Sequence, residues 1–343
     1  MATGRGIRRL ATISDVASLA GVGEATVSRV LNGSALVREA TRQRVQAAIE
    51  ELDYRPSPIA RSLSGGRAMT LGVVAPFFVR PSAVERLQGA EAGFTDAGYD
   101  TVLYNVSTPE QRREQFANVA RGRADGVLVI SVSPPRREMD RLVGSRIPMV
   151  LVDLRHPGVT HIYTDDVEGG RLATRYLLEL GHRRIAFVGD FIDNPFGFTS
   201  SAHRCAGFQD TMRRAGLDVP PVYVKEGEHS REVAVRMAAE LLALAEPPTA
   251  IFAASDTQAF GVLEAAAGAG VDVPGQLSVM GFDDIEVAAY VGLTTVRQPL
   301  RYSGARGARL LLDLAEGGSP PEPVVEKLRI ELIERRTTAS PPN

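Results

Sequence analysis

Titratable side chains that could support acid–base or metal chemistry are scattered along this chain rather than grouped. The histidines are His156, His161, His182, His203 and His229, and they do not follow the spacing of a metal site. Two pairs of adjacent acids occur, Asp165-Asp166 and Asp283-Asp284. Because the side chains of neighbouring residues point in different directions, neither pair is expected to form a catalytic acid and base. Nucleophile-elbow and phosphate-loop motifs are also missing from the sequence, so we expect no enzyme, cofactor or metal.

A different chemistry is available near the start of the chain, where side chains could read the edges of DNA bases. The guanidinium of Arg29 can donate two parallel hydrogen bonds to a guanine, worth ~1–3 kcal/mol of discrimination. Ala25 could at most contact a thymine methyl group. Three interpretations of Glu24 stay open: it accepts from a cytosine amino group, it repels phosphate, or it is a solvated acid in the first turn of a helix.

Reading bases in this way requires a helix that enters the major groove. Two short apolar-periodic runs, the second covering 24–32, are separated by the turn Gly21-Val-Gly23. Helices this short and this close must cross steeply, which is the helix-turn-helix arrangement. A third helix over 41–52 would complete a three-helix core. The apolar residues that recur at helical spacing and line one face of each run are Val16, Ala17, Ala20, Val27, Val30, Leu31, Val45, Ile49 and Leu52.

The composition fits a protein of several domains in a reducing compartment. A chain of 343 residues suits two or three domains, and 44% hydrophobic residues are ordinary for a soluble protein. No apolar run approaches the ~18–20 residues that span a bilayer, and no secretory signal is recognisable. The single cysteine, Cys205, cannot form an intramolecular disulfide. We therefore expect a cytoplasmic protein with no membrane partner.

Charge is distributed unevenly along the chain. Ten arginines against six acids give residues 1–67 a net charge of +4, so the total of −2 leaves −6 for the remainder. This asymmetry favours contact between DNA phosphates and the N-terminal segment. An arginine-rich composition throughout the chain is the alternative explanation.

The segment after the third helix could form a helix of about two turns. Ser57 suits the N-cap, Pro58 suits the first helical position, and Gly65-Gly66 would end the helix. Because isolated helices shorter than ~12–15 residues are marginal in water, this one should form only when it is braced. A flexible linker is the alternative.

From Met69 onward, strand-like and helical runs alternate, which predicts parallel sheets with helices on both faces and ligands at the carboxyl ends of the strands. The predicted strands are 70–75, 100–106, 126–131, 149–153, 184–189, 221–225, 250–254 and 277–282, with late strands at 295–298 and 324–333. The predicted helices are 83–97, 110–121, 170–180, 206–215, 231–244 and 257–269. His182, in Gly181-His-Arg-Arg, is interpreted as a helix-end residue that supports the helix dipole.

Together these motifs resemble the lactose-repressor (LacI/GalR) family of transcriptional regulators, from about residue 12 to residue 335. The motifs that carry the resemblance are Ile13-Ser-Asp-Val-Ala, Ala25-Thr26-Val27-Ser28-Arg29-Val30-Leu31-Asn32, Ala60-Arg61-Ser62-Leu63, Leu180-Gly-His182-Arg-Arg, Arg204-Cys-Ala-Gly207-Phe208, Ser255-Asp256, Val279-Met-Gly281-Phe-Asp283-Asp284 and Leu293-Thr-Thr295-Val-Arg-Gln298-Pro299. Any one of them is weak, but the ordered set is specific.

The resemblance implies a multidomain fold, with an all-α helix-turn-helix headpiece and an α/β two-lobed body similar to periplasmic binding proteins. The body would contain two parallel, doubly wound sheets joined by three crossing strands, and the protein would be a homodimer. The implied divisions are a headpiece at 1–56, a hinge at 57–66 and a body at 67–343, with an N-lobe at about 69–161 and 293–322 and a C-lobe at about 162–290 and 324–338.

The implied function is that of a repressor that binds a palindromic double-stranded DNA operator. Gly23 stands where the family usually has a serine N-cap. Leu63 aligns with the hinge leucine that wedges between base pairs in the minor groove, although it could instead pack on the surface of the body. The residues that the resemblance assigns to DNA binding are Ser14, Glu24, Ala25, Thr26, Ser28, Arg29, Asn32, Ala60 and Leu63.

The resemblance also implies a small-molecule effector, foremost a sugar or sugar derivative, with purine-like effectors left open. Aspartate and arginine can share hydrogen bonds with vicinal hydroxyls while an aromatic ring covers the C–H face of a sugar. The residues assigned to the effector are Phe77, Phe78, Asp153, Arg204, His229, Ser255 and Asp283.

Several of these assignments have structural alternatives. Arg204 is expected to face the ligand because it has little packing purpose. Asp283 could contact the ligand or cap the helix that follows. His229 stands where members often place a stacking aromatic, but it could be a surface-loop residue. Ser255 stands where asparagine is commoner, and the loop 194–201 could tune specificity or cap the next helix.

The implied mechanism is linkage between the effector and the operator. Ligand would close one lobe onto the other and change whether the hinge helices form. Whether ligand releases DNA or promotes its binding stays open, release being the commoner behaviour in the family. The alternative function is a cytosolic sugar-binding receptor without an operator, which the basic headpiece opposes.

Overall fold

The computed structural model describes residues 11–31, 33–54, 68–76, 80–121, 124–145, 147–194, 196–318, 320 and 322–342. They divide into two units, Met1–Ala68 and Met69–Asn343. The hinge predicted at 57–66 and five residues with predicted roles lie outside the described residues: Asn32, Ala60, Leu63, Phe77 and Phe78. None of the helices in the described ranges is long and apolar enough to cross a membrane.

The first unit contains three helices: α1 (Ile13–Ala20), α2 (Glu24–Leu31) and α3 (Glu39–Glu51). A capping box begins α1, in which Thr12 Oγ1 accepts from the Asp15 N–H at 3.3 Å and the Asp15 carboxylate accepts from the Thr12 N–H at 2.7 Å. Gly21 ends α1 in the left-handed region, with φ 64°, which a glycine adopts without steric cost. These signals fix the sharp turn between α1 and α2.

A small apolar core holds the three helices together, and each helix contacts the other two. Its buried residues are Val16, Ala17, Ala20, Val27, Val30, Val45, Ala48 and Tyr54. Leu31, predicted to share the apolar face of α2 with Val27 and Val30, is 36% exposed. Val27 and Val30 form the buried stripe of α2, and Leu31 lies at its edge. The predicted helix-turn-helix headpiece is confirmed.

The second unit contains two six-stranded sheets. The strands are β1 (Thr70–Pro76), β2 (Asp100–Val106), β3 (Gly126–Ile130), β4 (Met149–Val152), β5 (Thr160–Thr164), β6 (Ile185–Asp190), β7 (Val224–Gly227), β8 (Ala250–Ala253), β9 (Ser278–Asp283), β10 (Thr294–Arg297), β11 (Val325–Leu328) and β12 (Glu331–Ile333). The spatial orders are β11-β5-β4-β3-β1-β2 and β12-β10-β9-β8-β6-β7. Neighbouring strands are parallel, except that β12 is antiparallel to β10.

Helices cover both faces of each sheet. They are α4 (Pro81–Asp96), α5 (Pro109–Val119), α6 (Arg136–Gly144), α7 (Asp166–Glu179), α8 (Ser200–Arg214), α9 (Arg231–Leu242), α10 (Asp256–Gly268), α11 (Glu286–Val291) and α12 (Leu300–Ala315). Along β1, Leu71 and Val73 join one apolar cluster and Val74 joins another on the opposite face. A parallel strand buried on both faces is expected in this architecture, so the predicted doubly wound body is confirmed.

We call the part of the second unit built on β1–β5 and β11 the N-lobe, and the part built on β6–β10 and β12 the C-lobe. The chain passes between the two sheets three times, after β5, after β10 and after β11. These crossings differ from the expected division, because β10 joins the C-lobe, β11 joins the N-lobe, and β5 extends the N-lobe to Thr164. Hydrophobic patterning shows that a short segment is a strand but not which sheet edge it joins.

Four described elements have no counterpart among the predicted ones: β5, α6, α11 and α12. Residues 221–223, predicted to begin a strand, form a 3-10 turn instead. Helix α12 contains Gly304 and Gly307, whose low helix propensity weakens the sequence signal. Both glycines are buried, so packing rather than propensity stabilises this helix.

His182 ties the C-terminal segment to the second sheet. Its imidazole is buried, with Nε2 3.0 Å from Ser278 Oγ and 2.9 Å from the Ala339 carbonyl oxygen, and Nδ1 2.9 Å from Thr249 Oγ1. Burial lowers the pKa of His182 below its ordinary value. His182 does follow the end of α7, but its expected support of the helix dipole is wrong, because the site favours the neutral ring.

We expect His182 to make the body less stable in acid. Since its folded-state pKa is depressed, its stabilising contribution is present above pH 6.5 and is lost as pH falls below that value. His182→Asn should lower the free energy of unfolding at pH 8 by about 1–3 kcal/mol, and the gap to the wild type should narrow towards pH 5. Urea unfolding at several pH values measures this gap. His156→Asn in a loop is the control, and a gap for His182→Asn that is independent of pH would contradict the expectation.

Candidate functional site

Helix α2 carries five of the nine residues predicted to bind DNA. Val27 and Val30 are buried against α1 and α3, while Arg29 between them is exposed. The carbonyl of Gly23 accepts from the Thr26 N–H at 2.8 Å, so the first turn forms although no side chain there is a serine cap. Of the predicted residues, Ser14, Glu24, Ala25 and Arg29 are exposed, and Thr26 and Ser28 are half-buried. A short helix with an exposed arginine on its outer face suits contact with base edges.

A polar cleft lies between the two lobes of the second unit. The space between its walls, including the part that is open to solvent, is about 560 Å³. Strands from both sheets end at this cleft, as expected for ligand sites of parallel α/β sheets. Its lining includes Arg80, Arg86, Ser131, Asp153, Asp190, Phe198, Arg204, His229, Ser255, Gln258, Asp283 and Gln298. No group of His, Cys, Asp and Glu in the described ranges could hold a metal ion.

Asp153 and Asp283 enter the cleft from strained backbone at the ends of strands. Their φ angles are 63° and 118°, in a region that L-residues rarely adopt. The Asp153 carboxylate accepts from Ser131 Oγ at 2.9 Å, and Asp283 Oδ1 accepts from Gln298 Nε2 at 2.6 Å. The backbone is therefore held so that both carboxylates face the interlobe space.

The capping alternative for Asp283 is wrong. Helix α11 begins at Glu286, and Ile285 occupies its N-cap without a side-chain hydrogen bond. Asp284 turns away instead, with Oδ2 2.7 Å from Arg297 Nε and Oδ1 2.7 Å from Arg335. Burial raises the pKa of Asp283, while Arg204 and Arg86 oppose that rise.

Arg204 is held by three groups inside the protein. Its Nε donates to Asp166 Oδ1 at 2.8 Å, one terminal nitrogen donates to the Ala254 carbonyl at 2.6 Å, and the same nitrogen lies 3.6 Å from Asp283 Oδ1. The guanidinium also stacks on Phe282, with the carbon 3.7 Å from the ring centroid. The expectation that Arg204 lacks a packing role is therefore wrong, although its side chain still lines the cleft.

The two acids of the Asp165-Asp166 pair point in different directions, as predicted. Asp165 caps α7 by accepting from the Glu168 N–H at 3.1 Å and pairs with Lys327 at 2.7 Å. Asp166 is buried against Arg204. Burial raises the pKa of Asp166 to about 6, although Arg204 lowers it in part.

Gln298 connects the lobes at one of the chain crossings. Its side-chain oxygen accepts from Arg86 at 3.1 Å and from Thr164 Oγ1 at 2.8 Å, both in the N-lobe, while its nitrogen donates to Asp283 in the C-lobe. Arg86 also lies 3.4 Å from Asp153 Oδ2. The buried Arg86 Nε has no hydrogen-bond partner among the described residues. The floor of the cleft is thus one polar network that spans both lobes.

Ser255 and His229 have protein partners that sequence reasoning did not identify. Ser255 caps α10 by accepting from the Gln258 N–H at 3.2 Å. His229 Nδ1 lies 2.9 Å from Asp190 Oδ1, and the imidazole is 12% exposed. His229 is therefore neither an exposed loop residue nor a free stacking ring, and it forms part of the wall of the cleft.

Three charged residues that line the cleft were not predicted from the sequence: Arg80, Arg86 and Asp190. Arg86 lies on the buried stripe of α4 with Ala83 and Ala90, and an arginine at such a position is a recognisable signal. Asp190 ends β6 as Asp283 ends β9, which is the pattern expected of a ligand residue. The loop 194–201 contributes Phe198, over which the Arg80 guanidinium lies at 5.0 Å. Phe77 and Phe78 lie outside the described residues.

Two family models match the chain. Residues 12–57 match "Bacterial regulatory proteins, lacI family", and residues 174–338 match "Periplasmic binding protein-like domain". Among curated relatives, the HTH-type transcriptional repressor PurR of Escherichia fergusonii is 36% identical and PurR of Vibrio atlanticus is 34% identical. These alignments cover 97% and 96% of this chain, and 98% of each relative.

Solved structures show the same relationship. The lac repressor dimer bound to operator and the anti-inducer ONPF aligns with a TM-score of 0.83 and 26% identity, over 96% of this chain and 100% of that one. The transcriptional regulator CelR in complex with cellobiose aligns with a TM-score of 0.70 and 31% identity, over 95% of this chain and 99% of that one. With a matching headpiece, a matching body and relatives aligned over nearly their whole length, this chain belongs to the lacI family of bacterial DNA-binding transcriptional repressors.

Proposed function

We propose that this protein represses transcription as a homodimer on a palindromic operator and that an uncharged, polyhydroxylated effector controls its occupancy. The observation that carries the effector class is the mixed lining of the interlobe cleft. Arg80, Arg86 and Arg204 face aspartates there, so neither sign of charge dominates. Hydroxyl groups both donate and accept hydrogen bonds. A ligand rich in hydroxyl groups therefore suits such paired cations and carboxylates better than a ligand with a net charge does.

Two similar structures support a carbohydrate. The CelR regulator is solved with cellobiose, and a LacI family regulator from Enterococcus faecium, 27% identical with a TM-score of 0.70, is solved with bound ribose. The residues that we propose for effector contact are the sequence-assigned Asp153, Arg204, His229, Ser255 and Asp283, together with Phe77 and Phe78. We propose that ligand moves the lobes and thereby changes whether the hinge helices at 57–66 form.

The homodimer is supported by apolar side chains left on an edge strand. Strand β2 lies at the edge of the first sheet, and Val102 and Leu103 on it are 39% and 45% exposed. Val222, just before the edge strand β7 of the other sheet, is 51% exposed. Exposed apolar residues on unpaired edges favour association. Two headpieces related by a twofold axis would bind a palindrome, and the protein would act where bacterial DNA lies, in the cytoplasm.

The test begins with the purified protein and a duplex recovered from random DNA by selection. Light scattering should give a dimer, and the selected duplex should be palindromic. A panel of neutral sugars, sugar phosphates and nucleobases is then screened for a rise in melting temperature, and the hits for a change in operator affinity. Preference for a nucleobase or a phosphorylated sugar would contradict the proposed effector class. A monomer with no preferred duplex would contradict the proposed operator binding.

Arg29 is the residue that we expect to contribute most to base discrimination. Arg29→Ala should weaken binding to the selected duplex by roughly 5- to 150-fold, because one bidentate contact with guanine is lost. Binding to random DNA should change far less. Fluorescence anisotropy at one fixed salt concentration measures the affinity for both duplexes. The control is Arg44→Ala, which removes an exposed arginine on α3. Equal loss on both duplexes would show that Arg29 contacts only phosphate.

A further inference from the structure

Asp190 is a charged residue of the cleft whose two oxygens have different surroundings. It ends β6 in the C-lobe, and its backbone N–H donates to Ser201 Oγ at 2.9 Å, which ties the strand end to α8. Only 11% of its side chain is exposed, and it lines the interlobe space. The main chain of Asp190 is therefore held by α8, while its carboxylate lies at the wall of the cleft.

Two side chains of the C-lobe hold the first oxygen. His229 Nδ1 lies 2.9 Å from Asp190 Oδ1, and Gln258 Nε2 donates to the same oxygen at 3.2 Å. Burial tends to raise the pKa of Asp190, but the hydrogen bond and charge of His229 and the charge of Arg80 outweigh it and lower the pKa. The carboxylate is thus ionised, with Oδ1 occupied and its orientation fixed.

The second oxygen faces the opposite lobe. Arg80, just before α4 of the N-lobe, brings one terminal nitrogen to 3.7 Å from Asp190 Oδ2. This distance exceeds the 2.7–3.2 Å of a direct N–H···O hydrogen bond. The Asp190 carboxylate and the Arg80 guanidinium therefore form an ion pair across the cleft, and the two closest atoms are farther apart than in a direct hydrogen bond.

A hydroxyl group is the simplest partner for such a pair, because it donates its proton to the carboxylate and accepts from the guanidinium. A phosphate or carboxylate placed there would be repelled by Asp190, and an ammonium by Arg80. A nucleobase would need two adjacent groups there, an N–H for Asp190 and an acceptor for Arg80, whereas a single hydroxyl group serves both.

We propose that Asp190 and Arg80 together bind one hydroxyl group of the effector and determine which sugar is accepted. His229 is a positioning residue that keeps Asp190 in place, where other members would stack an aromatic ring. This inference rests on the proposed effector function, since it specifies how the cleft recognises a sugar.

The experiment pairs a protein change with a ligand change. Isothermal titration with D-glucose, D-mannose, D-galactose, D-allose, D-ribose and cellobiose identifies the tightest sugar for the wild type, and its deoxy analogues are then compared. Asp190→Asn should weaken the parent sugar by about 10- to 100-fold. For one deoxy analogue, the one that lacks the partner hydroxyl, wild type and Asp190→Asn should bind equally. If Asp190→Asn weakens every analogue by the same factor, the inference is wrong.

His229 is tested by rescue. His229→Leu should reproduce the loss seen in Asp190→Asn, whereas His229→Gln, whose amide can donate to Asp190 Oδ1, should restore most of the affinity and the same ranking of analogues. Equal behaviour of the two His229 variants would overturn the positioning role. The matched control is Asp193→Asn, which changes an exposed aspartate in the loop after β6 and should leave sugar binding unchanged.

Failure of this inference is distinguishable from failure of the proposed function. If the wild type binds a sugar but Asp190→Asn shows no analogue-specific loss, only the inference falls. If none of these sugars binds the wild type, the proposed effector class falls and the inference falls with it. Operator binding without ligand should be the same in all variants, because Asp190, His229 and Asp193 all lie outside the headpiece.

Discussion

Arg204→Met should lower the free energy of unfolding of the body by about 3–5 kcal/mol at pH 8, because it leaves buried carboxylates without their cation. Asp166 loses a hydrogen bond of 2.8 Å, and Asp283 loses an ion-pair partner at 3.6 Å. The loss should shrink as pH is lowered from 8 towards about 6, because removing Arg204 raises the pKa of Asp166 above its value of about 6 and the carboxylate of the variant takes up a proton in this range. A carboxyl group with a raised folded-state pKa makes its full contribution to stability below its unfolded-state pKa of 3.8, and this contribution is lost as pH rises through the folded-state pKa.

Unfolding is best followed by circular dichroism, since the chain has no tryptophan. Arg175→Met is the matched control, because this arginine pairs with Glu168 on the exposed face of α7 and should matter by less than about 1 kcal/mol. The double variant Arg204→Met/Asp166→Asn should recover part of the loss. An Arg204→Met penalty that is the same at pH 5 and pH 8 would contradict an ionised Asp166.

Gly304→Ala should destabilise the body by about 3 kcal/mol or more, at the upper end of the effects of overpacking. A Cβ atom on Gly304 of α12 would overlap the Arg86 carbonyl oxygen of α4, and one on Gly89 of α4 would overlap the Arg301 carbonyl oxygen of α12. Each helix therefore presents a glycine to the backbone of the other. Forcing them apart would also shift Arg86 away from Gln298 and Asp153, so effector binding should weaken with stability.

Gly93→Ala is the control for that prediction. It lies on the same helix α4, and an added Cβ would be 3.3 Å from Ala308 Cβ, a contact that a small adjustment relieves. Alanine also favours a helix by about 1 kcal/mol over glycine, so this variant should lie within about 1 kcal/mol of the wild type. Chemical denaturation of both variants measures the difference. If Gly304→Ala is as stable as Gly93→Ala, the close helix contact is wrong.

The headpiece could be predicted from sequence because its signals are local. Val16, Val27 and Val30 repeat at helical spacing, and Gly21 marks the turn, so the periodicity alone fixes which faces meet. The strands of the body were predictable for a similar reason, since buried parallel strands are continuous apolar runs. Helix α12 was not, because its glycines serve the packing against α4, and that partner lies over 200 residues away in the chain.

Residues that follow strands lie in the cleft as expected, whereas partners that come from elsewhere in the chain could not be predicted. Asp153 and Asp283 could be placed from the strands before them. The roles of Arg204 and His229 depend on Asp166 and Asp190, to which no sequence pattern connects them. The capping role of Ser255 is different, because a serine directly before a helix is a local signal for an N-cap and needs no distant partner. Which pairs form in a polar network is a property of the assembled fold.

The three passages of the chain between the lobes have a consequence for synthesis and for the division of the body into fragments. Strand β11 pairs with β5, placing Val325 beside His161, and β12 pairs with β10 only after the chain has crossed once more. Both sheets therefore stay unfinished until β11 and β12 have been synthesised. Neither lobe can therefore be cut out as one continuous fragment or exchanged as a single segment of sequence.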